Sequence, residues 1–316
     1  MMAAVEVRQV KTQRELRSFV RFPWRVYVGD PSWVPPLISE RMAYLDPARG
    51  PFYRLADVAL FLARRGRESA GTIAAFVDRR QKGEPDVREG GFGFFEVVRE
   101  YEVAARLLDT AGAWLRARGA TLMRGPTSFS INEYPGVLIE GADCPPVMLE
   151  AHTPPYYKDF LEQYGMKRDH DLYAWRAFRR QIGEELEHLP PELGRVADVA
   201  RRVANVRIRK LDMAAWDQEI ATALALFNET LKDIDDFTPM SHDEFGHLAA
   251  DQRLLCPPGG GDVPKSLRHR HLRVHGRDIP RHPPSSRALQ IARLTAATGT
   301  DGTSCTAPPP GAARRG

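Results

Sequence analysis

Gly91-Phe92-Gly93-Phe94-Phe95-Glu96 is a short apolar run broken by glycines, and a helical stripe starts just beyond it. Val103, Leu107, Leu108, Ala111, Trp114 and Leu115 recur at the spacing of one buried helix face, which Gly119 closes. The run before it reads as a strand, and glycines inside a strand point to a bulge or a close backbone approach. A strand passing into an amphipathic helix is the core of an α/β unit, and the rest of the chain is read outward from it.

Upstream, Val5 to Val10 alternates apolar and polar residues, as a first strand does. Thr12 and Glu15 form a capping box ahead of Leu16 and Phe19, so a short helix follows. Asp30-Pro-Ser-Trp-Val-Pro-Pro36 reads as extended, and Pro36 can open a second helix through Glu40 to Leu45. Asp57 to Arg64 and Thr72 to Asp78 are strand-like runs joined by the hairpin Arg65-Gly66-Arg67-Glu68.

Downstream, Thr121 to Arg124 reads as a strand, and residues 125–153 as a long connection punctuated by Gly and Pro. Tyr156 to Tyr164 reads as a helix and Lys167 to Trp175 as a last strand. The order β-α-α-β-β-β-α-β-α-β implies a mixed sheet with helices on both faces. A first domain is expected over residues 1–178 and a charged helical linker over 179–204. A second, incomplete unit over 205–254 opens with a strand at Val206 to Leu211 and a helix at Ala214 to Leu231.

Residues 255–316 differ in kind. They hold no Phe, Tyr or Trp, nine of the 25 prolines, and only nine Leu, Ile or Val, too little apolar surface to offset chain entropy. Disorder is the expectation. Ten Lys or Arg against three Asp or Glu make this tail the source of the net +4, and the rest is mildly acidic. The positive balance is therefore no argument for nucleic acid, although a basic tail could contact phosphates. Arginine outnumbers lysine 38 to 7, as in GC-rich genes, and such DNA read out of frame yields this composition. A frameshifted C-terminus is the reading that follows.

Hydrophobic residues at 43 % and charged residues at 27 % are ordinary for a globular protein. No apolar run is long enough to span a bilayer, and no signal-peptide core opens the chain, so a cytoplasmic protein without a membrane partner is expected. Cys144, Cys256 and Cys305 fit neither a disulfide framework nor a metal site.

Several phrases carry a resemblance: Asp30-Pro-Ser-Trp-Val-Pro-Pro36, Gly50-Pro-Phe52, Phe92-Gly-Phe-Phe-Glu96, Arg124-Gly-Pro126 and Pro154-Pro-Tyr-Tyr157. With the element order, they resemble the GNAT (GCN5-related N-acetyltransferase-like) superfamily, and most closely a bacterial tandem-GNAT-like group. The likeness implies a GNAT-like fold, a truncated second repeat, acetyl-CoA as cofactor, and acyl transfer to a small-molecule amine. It also implies Glu96 as the base that takes a proton from the amine.

Two positions depart from that pattern. The superfamily holds the cofactor's pyrophosphate in a Gly-rich turn at a helix N-terminus, whereas this chain has Val97-Val-Arg-Glu-Tyr-Glu-Val103, with Glu100 and Glu102 where the dipole favours an anion. The tyrosine expected four residues before Gly165 is Leu161. No cofactor-binding residue can be named. Candidate substrate-binding residues are Trp24, Tyr27, Trp33, Asn132, Glu133, Tyr156 and Tyr157. Ordinary packing is the favoured reading of the aromatics and a strand-end helix cap that of Glu96, while Asn132 equally suits a turn. An acyltransferase that is inactive as this chain alone, and a non-catalytic GNAT-fold binding module, both remain open. The oligomeric state and the acceptor are not legible.

Overall fold

The computed structural model describes residues 3–81, 87–130, 132–146, 149–174, 211–233, 237–253 and 286–292, with a few isolated positions between 194 and 209. A mixed sheet runs β1 (Val5–Gln9), β2 (Ala56–Arg65), β3 (Glu68–Asp78), β4 (Glu89–Val97) and β5 (Leu122–Gly125) in spatial order. The first three pairings are antiparallel, and β4 pairs β5 in parallel through the crossover helix α4 (Tyr101–Arg116). The β2–β3 turn is two residues tight, with Gly66 at φ +62. The capping box on α1 (Gln13–Arg21) forms as the sequence predicts.

Both faces of β2 and β3 are covered, and the pleat divides their side chains. Ala59, Phe61, Ala63, Ile73, Ala75 and Val77 pack with Val103, Leu107 and Leu108 of α4. Leu60, Ala74 and Phe76 pack on the other face with Leu16 and Phe19 of α1 and with Tyr44 and Leu45 at the end of α3 (Ile38–Tyr44).

On β4 the predicted bulge is present. Thr72 pairs Glu96 and Ala74 pairs Gly93, so Phe94 and Phe95 together oppose the single Ile73, and Phe94 takes φ +46. The bulge sends Phe92 and Phe95 into the α4 core while Phe94 packs on the α1 and α3 side. The close approach is present too: a Cβ on Gly93 would lie 1.4 Å from the Thr127 carbonyl oxygen.

Three elements differ from the sequence reading. A short α2 (Pro23–Val26) precedes the 30–36 loop. The connection after β5 contains β6 (Val137–Glu140), four residues too short to stand out as a pattern. Within the tail, Ser286–Ala292 forms β8, where Leu289 and Ile291 alternate with Ala288 and Gln290. It pairs with β5, β6 and β7 (Arg168–Ala174), all antiparallel. A seven-residue strand can borrow its core from an existing sheet, which composition summed over 62 residues does not register. The remainder of the tail, most of the 179–204 linker and nearly all of the strand expected at Val206 to Leu211 lie outside the described residues.

Beyond β7, α6 (Trp216–Leu231) and α7 (His242–Arg253) follow. α7 docks on the β3 end through Arg80, which pairs with Asp78 at 2.7 Å and reaches both oxygens of Glu244, at 2.7 and 3.0 Å. Arg54 adds an ion pair to Asp243. No described helix is long and apolar enough to cross a membrane, and no cluster of metal-binding side chains occurs among the described residues. The Cys144 Sγ donates to the Gly141 carbonyl oxygen at 3.6 Å.

Candidate functional site

Between the 30–36 loop, α1, α3, the β4 bulge and the 126–153 connection lies a cavity of about 150 Å³. Its walls are mostly apolar, from Phe19, Val20, Trp33, Leu45, Phe94 and Phe95, with Glu96, Glu150, Arg41, His152, Thr72 and Tyr157 among the polar groups. Such a lining, with a few converging polar side chains, is the usual form of a small-molecule site.

Glu96 is the most structured of these groups. The Tyr157 hydroxyl donates to its Oε2 at 2.7 Å, and the Tyr27 hydroxyl lies 3.4 Å from Oε1. Tyr27 has one proton and a shorter bond, 2.9 Å, to the His152 carbonyl oxygen. A protonated Glu96 can therefore donate to Tyr27, so the surroundings accommodate both states of the acid. Burial raises the Glu96 pKa to about 7, against the lowering effect of the Tyr157 and Tyr27 hydroxyls. A carboxyl group open to a cavity and poised there can exchange protons with an amine near neutral pH.

The frame around it is rigid. Tyr157 is fully buried and accepts the Val97 N–H at 2.8 Å, while Tyr156 donates to the Val97 carbonyl at 2.7 Å. The N-terminus of α5 (Tyr156–Gln163) is thereby fixed to the end of β4. Tyr27 stacks on Trp33 with centroids 4.7 Å apart, and Trp24 meets Trp33 edge-on at 5.2 Å.

Of the sequence-chosen residues, Glu96, Tyr157 and Trp33 line the cavity, and Tyr27 joins them through Glu96 and Trp33. Trp24 and Tyr156 stand behind them as supports. Asn132 turns back on Ser130, its Nδ2 donating to Oγ at 3.1 Å, in the turn role. Glu133 is 7 % exposed and sits behind the wall, taking the Tyr44 hydroxyl at 3.0 Å. Burial, the largest influence, raises its pKa to about 7 despite the nearby Arg41.

Two cavity residues, His152 and Arg41, are not among the sequence candidates; His152 reads in sequence as a hydrogen-bonded loop histidine, and it is one. His152 Nε2 lies 2.8 Å from Asp30 Oδ2, whose pKa is lowered by this contact against the opposing effect of burial, and its Nδ1 is buried without a partner. Arg41 is 9 % exposed, with its guanidinium over the rings of Tyr134 at 5.2 Å, Phe94 at 5.5 Å and Tyr44 at 5.7 Å. An arginine in a predicted helix looks like a solvated residue, and only the packed rings around it mark it as buried.

The α4 N-terminus, where the resemblance implies a diphosphate, does not suit one. Glu100 occupies the N-cap of α4, and Arg65 Nη2 bridges Glu100 at 2.8 Å and Glu102 at 3.1 Å. The basic group is taken up by carboxylates, and those carboxylates face the positive end of the helix dipole. Leu161, fully buried in the α4 core, presents no acid to a departing thiolate.

No family model matches the chain. It is 35 % identical over 266 residues to bacterial ceramide synthase of Caulobacter vibrioides, covering 80 % of this chain and 66 % of that protein. It is 30 % identical over 251 residues to protein YghO of Escherichia coli, covering 79 % and 62 %. The chain thus spans just under two thirds of the curated relatives it matches. Several similar solved structures are GNAT proteins. They include a tandem GNAT protein from the clavulanic acid biosynthesis pathway, with TM-score 0.43, 13 % identity, 79 % of this chain and 66 % of that one. An N-acetyltransferase from Staphylococcus aureus Mu50 gives TM-score 0.34 and 12 % identity over 54 % of this chain and 88 % of that one. The fold is GNAT-like.

Proposed function

We propose that the cavity is the amine-accepting half of an N-acyltransferase site, with Glu96 as the base. The observation that carries the reading is the Glu96 carboxyl, held by two tyrosine hydroxyls at the end of an apolar cavity with a pKa of about 7. A substrate ammonium entering the cavity gives a proton to Glu96, and the freed nitrogen lone pair becomes nucleophilic. The apolar walls exclude water and select an amine with an aliphatic body. The ceramide synthase relative supports a long-chain amine as the acceptor class. No acyl donor is assigned to α4, because its N-terminus does not suit a diphosphate.

The Arg65 clamp on Glu100 and Glu102 favours a second reading, a GNAT-fold module that binds the amine without turnover. One experiment separates the two. The full chain and Glu96→Gln are incubated with octylamine or a long-chain amino alcohol and an acyl thioester, with amide formation followed by mass spectrometry and amine binding by calorimetry. Amide made by the wild type and lost in Glu96→Gln supports the enzyme. Binding without amide supports the module, and absence of amine binding overturns both.

A further inference from the structure

Large apolar side chains that face water are few among the described residues, and half of them fall in one short run. Val28, Val34, Leu37 and Ile38, at 81, 57, 70 and 37 % exposure, all lie within residues 28–38, at the rim of the cavity whose wall includes Trp33, Val34 and Pro36. Scattered exposed apolar residues need no explanation, but a set gathered beside a site does. This set cannot fold inward. Pro31, Pro35 and Pro36 stiffen the run, the Asp30 carboxylate takes the Ser32 N–H at 2.9 Å and meets His152 at 2.8 Å, and Trp33 stacks on Tyr27 at 4.7 Å. The run is pinned at its middle, and its aliphatic side chains are left outside.

Its surroundings indicate what covers it. Asp30 is the only charged residue between Val28 and Ile38, and it is bound to His152. Helix α1, whose Phe19 and Val20 line the same cavity, carries Arg14, Arg17 and Arg21 at helical spacing on its outer side, all exposed and with no ion pair among the described residues. Aliphatic side chains with unneutralised arginines close by match a surface that is apolar beneath and anionic on top. A protein partner fits less well, because a stable protein interface takes about 20 to 30 residues a side. Four exposed aliphatics and three prolines fall short of that. They suffice to enter a headgroup layer, and such a contact needs no spanning helix, of which the described residues have none.

We infer that residues 28–38 dock the cavity mouth on the surface of an anionic phospholipid bilayer, with Val34, Leu37 and Ile38 entering the headgroup layer and the α1 arginines meeting lipid phosphates. The cavity then opens toward the lipid, the phase in which an amine with an aliphatic body collects. The contact depends on the rim and not on Glu96, so its failure leaves the amine-accepting reading standing.

The test is flotation of the full chain with vesicles of phosphatidylcholine and phosphatidylglycerol in equal parts. The wild type is expected to float with them. Val34→Ser with Leu37→Ser, at exposed positions that leave the core intact, should lower the partition coefficient by about ten-fold or more. Arg17→Gln with Arg21→Gln should lower it several-fold in dilute salt, by a margin that narrows as salt is raised. Absence of flotation overturns the inference, as does flotation that either pair of substitutions leaves unchanged; insensitivity to the serine pair assigns the binding to the basic residues 255–316. A concentration-dependent dimer that forms without vesicles and that the serine pair dissolves also overturns it, and gives the surface to a second copy of the chain.

Discussion

Tyr157 and Glu96 are joined at 2.7 Å across the seam between α5 and the bulged end of β4, and the same phenol oxygen receives the Val97 N–H at 2.8 Å. The hydroxyl proton is thereby directed at the carboxyl group. Loss of that hydroxyl removes an influence that lowers the Glu96 pKa and leaves burial unopposed on that side. For Tyr157→Phe, the ascending limb of any acyl-transfer pH profile should move to higher pH. A profile unchanged in midpoint would dissociate Tyr157 from the proton chemistry.

Glu96→Gln keeps the shape and removes the titration. Acyl transfer to an amine should fall by about 10²- to 10⁴-fold, the usual worth of a general base. The limb near pH 7 should vanish with it. Retention of that limb in the variant would assign it to another group.

Glu133 provides a stability signature. Buried, it holds its proton up to about 7, whereas in the unfolded chain it ionises near 4.5. Between those values the folded state binds more protons, so the unfolding free energy falls as pH rises, by about 3 kcal/mol at most for this group. Urea midpoints of the wild type should therefore drop more between pH 5 and pH 8 than those of Glu133→Gln. Parallel slopes would contradict the raised pKa.

Gly93→Ala tests the bulge. Its Cβ would collide with the Thr127 carbonyl, which is backbone and cannot step aside cheaply. A loss of about 3 kcal/mol or more in urea unfolding is expected, among the largest for a one-carbon change. A loss below about 1 kcal/mol would mean that the strand and the 126–130 segment separate easily.

Arg80 is the hinge pin between α7 and the sheet. Arg80→Met leaves Asp78 and Glu244, with side chains only 7 % and 10 % exposed, as unpaired acids. Faster amide exchange confined to α7 and the β3 end should follow. Uniform protection equal to the wild type would show the helix to be held by other contacts.

Periodicity and capping chemistry made most of the fold legible. The α4 stripe, the Thr12 and Glu15 box, the Gly66 turn and the glycine-marked bulge are all local rules, satisfied by residues within a few positions of one another. β6 and β8 were not legible because each is short and depends on neighbours distant in the chain for its hydrogen bonds. The site divides in the same way. Glu96 at a strand end and the acidic start of α4 could be read directly, since position along an element fixes where they lie.

The sequence by itself determined the order of the strands from β1 to β5, the bulge and the absence of a glycine cradle at α4, because these follow from backbone geometry and residue type. Only the tertiary structure decided what the side chains meet. It closed Arg65 onto Glu100 and Glu102, moved Glu133 and Asn132 out of the cavity lining, and brought Arg41 and His152 into it from segments 111 residues apart. Burial and hydrogen-bond satisfaction are sums over neighbours from the whole chain, and a residue's own letter does not contain them.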